Sequence, residues 1–146
     1  MTFPTLLDMQ EPIIYAYSIY SVIAEKFEAF VTLGLINSRY KDFYDIYVLA
    51  KRYDLDGNSL QQAVVETFKH RHTSYDDIVA FDDDFTSDSI RRKRWDAFAK
   101  KKKMTEDIRF DEVMKVLRCL LKPIADAIIE RRAFDMQWDC DDRKWM

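Results

Sequence analysis

The stretch Tyr17–Tyr53, YSIYSVIAEKFEAFVTLGLINSRYKDFYDIYVLAKRY, decides how this chain folds. Two helices joined at Gly34 account for it. Ile19, Val22, Ile23, Phe27 and Phe30 recur at three- and four-residue steps and form one helical stripe, which predicts a helix from about Ser18 to Leu33. Gly34 follows its last turn, where a left-handed stop is easiest for glycine. Tyr40, Phe43, Tyr44, Tyr47 and Val48 make a second apolar face, extended by Ile46, Leu49 and Ala50, and predict a helix from about Ser38 to Arg52.

Both helices carry charge where a buried surface would exclude it. Lys26 lies inside the first stripe. Asp42 and Asp45 are three apart, on one face of the second helix. A charge in a mostly apolar wall is costly unless it is paired or opens onto a wet cleft. Two readings follow for Lys26, Asp42 and Asp45: a structural ion pair between core helices, or one wall of an active-site cleft with a lysine for phosphate and carboxylates for a proton or a metal.

The strings Ala24-Glu25-Lys26-Phe27-Glu28-Ala29, Leu33-Gly34-Leu35 and Asn37-Ser38-Arg39-Tyr40-Lys41-Asp42-Phe43-Tyr44-Asp45 together resemble a motif of the AbiEii/AbiGii-type nucleotidyltransferase toxins, an A-E-K-x-x-A helix followed by an R-x-K-D-x-Y-D helix. The likeness extends from Phe3–Asp8 through Asp56-Gly57 and Thr67-Phe68 to Arg94-Trp95 and Phe98. The resemblance implies transfer of a nucleoside monophosphate from a nucleoside triphosphate to an RNA or protein acceptor, with Mg2+. It implies Lys26, Asp42 and Asp45 as catalytic residues and Arg39 and Lys41 as substrate-binding ones. Family members also carry a sheet-bearing first half with a glycine turn and a D-x-D pair for the metal. The only glycines here are Gly34 and Gly57, so a glycine-rich phosphate loop is excluded. The expectation is therefore the C-terminal helical half alone. By itself it would hold no metal or cofactor and would be inactive. Its expected partners are an antitoxin or the absent N-terminal domain. The alternative is a helical interaction module that binds a partner protein or RNA without chemistry.

The chain has 146 residues, 48% of them hydrophobic, with 2 glycines, 3 prolines and 2 cysteines. That suits one mainly α domain of about five helices, over residues 18–146, preceded by a short extended or β segment at 1–17. Pro12-Ile13-Ile14-Tyr15-Ala16-Tyr17 has strand-forming residues, and if unpaired it would fold back or pair with a second copy in a homodimer. Cys119 and Cys140 show no metal-like spacing, and no apolar run approaches the ~18 residues that cross a bilayer. A cytoplasmic protein without membrane contact is expected.

Ser59 and Gln62 form a capping-box pattern and predict a third helix to about Lys69. His70 and His72 at its end are two apart, and a metal site there would need further ligands from elsewhere. Thr73–Asp88 is an acidic loop or short-helix region, pinned by Phe81 and Phe85. A fourth helix follows, from Ser87 or Ser89 to about Lys102, carrying Arg91, Arg92, Lys93 and Arg94 at one end and Lys100–Lys103 at the other. Those cations either grip a phosphate backbone or form a solvated face neutralised by the acidic loop. The last helix is expected from Asp107 or Asp111 to about Arg132, with a kink or break at Pro123, and Trp138 and Trp145 are expected to dock on the fold.

Overall fold

The computed structural model describes residues 12–33, 40–76, 78–102 and 108–146. Over these residues the chain is mainly α-helical, with helices α1 (Pro12–Leu33), α2 (Tyr40–Arg52), α3 (Gly57–His70), α4 (Asp83–Ser87), α5 (Ser89–Lys101) and α6 (Phe110–Ile129). Three short strands, β1 (Leu55–Asp56), β2 (Gln137–Asp139) and β3 (Lys144–Trp145), form a sheet in the order β1-β2-β3.

The first helix starts earlier than the stripe implied. Residues 12–17, expected to be extended, are helical. Proline's fixed φ suits the first turn of a helix, where its missing amide has no partner to lose. Residues 1–11, the rest of the expected extended segment, lie outside the described residues, as does Gly34.

The core is a single cluster built where α1, α2, α3 and α6 meet. Phe27 of α1 touches Phe68 of α3 at 5.1 Å between ring centroids, and Phe30 meets Phe43 of α2 at 5.0 Å. Phe43 also meets Phe85 and Phe110, so α4 and the start of α6 close over the same rings. From α6, Val113, Leu117, Leu120, Leu121 and Ile124 are fully buried along one stripe. The helix is unbroken at Pro123. Pro123 removes the amide that would bond the Cys119 carbonyl, and the helix continues past it.

The cap of α3 also differs from expectation. Asp56, not Ser59, is the N-cap, and its carboxylate accepts the Ser59 amide at 2.9 Å. Asp56 precedes a close approach of two backbone segments. The Gly57 amide donates to the Met136 carbonyl at 2.7 Å, which joins the start of α3 to the C-terminal tail.

That tail folds as a hairpin. Leu55 pairs with Trp138, and Trp138 with Trp145, in antiparallel register. Both tryptophans dock as expected: the Trp138 indole donates to the Ala50 carbonyl at 2.8 Å and that of Trp145 to the Leu120 carbonyl at 3.0 Å. Among the described residues, no helix is long and apolar enough to cross a membrane.

Candidate active site

Helices α1 and α2 bring Lys26, Asp42 and Asp45 together. The Lys26 Nζ lies 3.2 Å from Asp42 Oδ1 and 2.9 Å from Asp45 Oδ2. Lys41 Nζ reaches the same Asp45 Oδ2 at 2.7 Å from one turn earlier on α2. Side-chain exposure is 24% for Lys26, 13% for Asp42 and 27% for Asp45, against 62% for Lys41. The cluster is therefore half-buried, with Lys41 as its outer member.

The electrostatics favour the charged forms of Lys26 and Asp45. Burial works against the Lys26 ammonium, but hydrogen bonds and charge from Asp45 and Asp42 outweigh it and raise its pKa. Burial likewise works against the Asp45 carboxylate, and Lys41 and Lys26 together hold its pKa below the ordinary value. An ammonium has three N–H donors. Two of those on Lys26 are directed at Asp42 and Asp45, leaving one for a third acceptor.

The Asp42 and Asp45 carboxylates are both engaged by ammonium groups, and among the described residues no group of three or more His, Cys, Asp or Glu is placed to hold a metal. His70 and His72 are both exposed. Cys119 and Cys140 are free thiols.

Arg39 lies outside the described residues. The four cations at the start of α5 are not alike. Arg91 is bound locally: its Nη1 is 3.5 Å from Asp88 and its guanidinium stacks 4.3 Å over the Phe85 ring. Arg92 Nε donates to the Thr86 carbonyl at 3.1 Å. Lys93 and Arg94 are exposed, and among the described residues neither makes an ion pair. Neutralisation by the acidic loop is therefore confined to Asp88 and Arg91 among the described residues. Trp95, between the charges, is buried and donates to the Ile108 carbonyl at 2.8 Å, so its indole holds α5 to the core.

A second polar cluster was not apparent from the sequence. Glu28, on α1, is 4% exposed and is the only buried charged side chain among the described residues. Its Oε2 accepts from the Thr73 hydroxyl at 2.6 Å and from that of Thr32. Arg71 Nε lies 3.6 Å from its Oε1, while Arg71 Nη2 pairs with Glu25 at 2.6 Å. Thr32, Arg71, Thr73 and Asp76 line a cleft of about 800 Å3 above it. The one available signal was an acid with a threonine four residues later, one turn along the same face of α1. Its other partners lie beyond α3, where spacing carries no information.

Comparison with known proteins gives one relationship. A family model described as the nucleotidyl transferase AbiEii toxin of a type IV toxin–antitoxin system matches residues 1–116. Neither a search of curated proteins nor one of solved structures returned a match.

Proposed function

The chain belongs to the AbiEii family of nucleotidyl transferase toxins, and from that premise we propose that its α1–α2 hairpin forms the phosphate-handling wall of a nucleotide-transfer site. The donor would be a nucleoside triphosphate and the acceptor an RNA or a protein. The observation that carries this reading is the Lys26 ammonium, held between Asp42 and Asp45 with one N–H left for a further acceptor.

In phosphoryl-type transfer, negative charge spreads over the oxygens of the transferred group, and a fixed cation in a sheltered site stabilises it most. Lys26 meets both conditions, being half-buried and held on two sides. In this reading it donates its remaining N–H to a phosphate oxygen. Asp42 and Asp45 orient the ammonium rather than accept a proton, since both already face a cation. Lys41, on the outer side of Asp45, adds a second positive charge where a triphosphate would enter, and Arg39 is assigned to the same role. The family implies magnesium. The described carboxylates, each facing an ammonium group, do not fit it, so no step here is routed through the metal. The toxin–antitoxin setting of the family implies an antitoxin as a partner.

The exposed Lys93 and Arg94, without ion pairs among the described residues, favour a second reading. In it, α5 binds an RNA backbone and the chain does no chemistry. One experiment separates the two. The chain is incubated with labelled nucleoside triphosphate, magnesium and transfer RNA, and both bound and transferred label are scored. Label that is lost in Lys26→Ala supports the phosphate wall. No label, with salt-sensitive RNA binding that disappears when residues 91–94 are neutralised, supports the interaction module.

A further inference from the structure

We propose that Glu28 is a positioning residue for Lys26: its buried carboxylate fixes the rotation of α1 that delivers the ammonium to Asp42 and Asp45. The functional weight of this inference rests on the reading of Lys26 as a phosphate ligand; its geometry does not.

Successive residues of an α-helix are about 100° apart, so two residues on, a side chain points to nearly the opposite side. Glu28 accordingly faces the end of α3, while Lys26 faces α2. The helix is held from both sides at the same level. Its contact with α3 is the most extensive between any two helices here, and its contact with α2 is smaller. The apolar part of those contacts is non-directional and tolerates small rotations. The Glu28 contacts do not. Thr32, on α1 itself, holds the carboxylate in one orientation. Thr73 at 2.6 Å and Arg71 at 3.6 Å then tie that carboxylate to the segment that caps α3.

The magnitude matters. Side chains extend about 5–6 Å from a helix axis, so a turn of about 20° moves their outer atoms by roughly 2 Å. Added to ion pairs of 2.9 and 3.2 Å, a shift of that size takes the ammonium out of contact with its carboxylates unless the lysine stem re-adjusts. A functional group has to stay within about 0.5 Å of its working place. Glu28 supplies a directional stop that keeps α1 within that range.

The test reads the Lys26 ammonium directly and needs no nucleotide. Its 15Nζ chemical shift is followed through the side-chain Hε protons and assigned by its loss in Lys26→Arg. The Lys122 ammonium, paired with Asp126 at 3.1 Å on α6, serves as the internal reference. In Thr73→Val, which keeps the shape and removes the hydroxyl, and in Glu28→Ala, the Lys26 resonance is expected to move toward the free-lysine position while that of Lys122 stays. Thr73→Ser, which keeps the hydroxyl, restores it. If both damaging variants lower the thermal midpoint yet leave the Lys26 resonance in place, Glu28 is a structural lock and the proposal fails. A resonance that moves in a protein with no affinity for triphosphate leaves the positioning role standing and removes the phosphate reading.

Discussion

The indole of Trp138 donates its N–H to the carbonyl of Ala50 at 2.8 Å, so the C-terminal hairpin closes the last turn of the helix that carries Asp42 and Asp45. A helix leaves its final carbonyls without internal partners, and a buried one needs an outside donor. Trp138 is buried in filling that role. Trp138→Ala removes both the donor and a large ring, and is expected to cost ~3–5 kcal/mol of stability. Trp138→Phe keeps most of the packing and is expected to cost less. Urea denaturation of the two variants measures the difference.

Gly57→Ala reverses the usual rule for helices. Alanine in a helix is ordinarily favoured over glycine by ~1 kcal/mol. Here a Cβ would stand 2.6 Å from the Met136 carbonyl oxygen and 2.7 Å from that of Phe134. Backbone atoms of a paired tail cannot give way cheaply. The substitution is expected to destabilise by ~1–3 kcal/mol, as overpacking does, and denaturant midpoints check the sign.

Asp56 rather than Ser59 starts α3, and it also accepts from Gln137 Nε2 at 2.6 Å. Asp56→Ala is expected to cost ~1–2 kcal/mol, the range for a lost N-cap. Gln62 is exposed, and Gln62→Ala is expected to change little, which a capping box would not permit. Thermal unfolding of the two variants side by side decides between the caps.

The ion cluster sets a pH window. Asp45 titrates below its ordinary 3.8 in the folded chain, so its contribution is present above that value and lost as pH falls through the lowered one. Lys26 titrates above its ordinary 10.5, so its contribution is present below that value and lost as pH rises through the raised one. Asp45→Asn is expected to flatten the acid limb of the stability profile and to lower mid-range stability by ~1 kcal/mol, as for a part-exposed pair. Unfolding free energy measured across the acid range tests both.

How much of this was readable in the sequence depends on the distance between partners. The hairpin, and the meeting of Lys26 with Asp42 and Asp45, followed from periodicity, because both partners stand on strongly patterned helices joined by a short link. Glu28 was passed over because Thr73 and Arg71 lie beyond an intervening helix. The sheet was equally hidden: strands of two and three residues carry no alternation, although Trp138 and Trp145 signalled that the tail docks. Pro12 misled because proline marks the start of a helix as readily as it ends one. No break occurs at Pro123, since the turns on either side of it are held by the buried stripe of α6.

The most direct test of the phosphate wall is the equilibrium affinity of the chain for a nucleoside triphosphate, measured by calorimetry in wild type and Lys26→Ala, with folding of the variant checked by circular dichroism. A charge-assisted hydrogen bond is worth ~1.5–3 kcal/mol, so the account predicts binding weakened by roughly 10- to 100-fold in the variant. Equal affinity in the two proteins would contradict it.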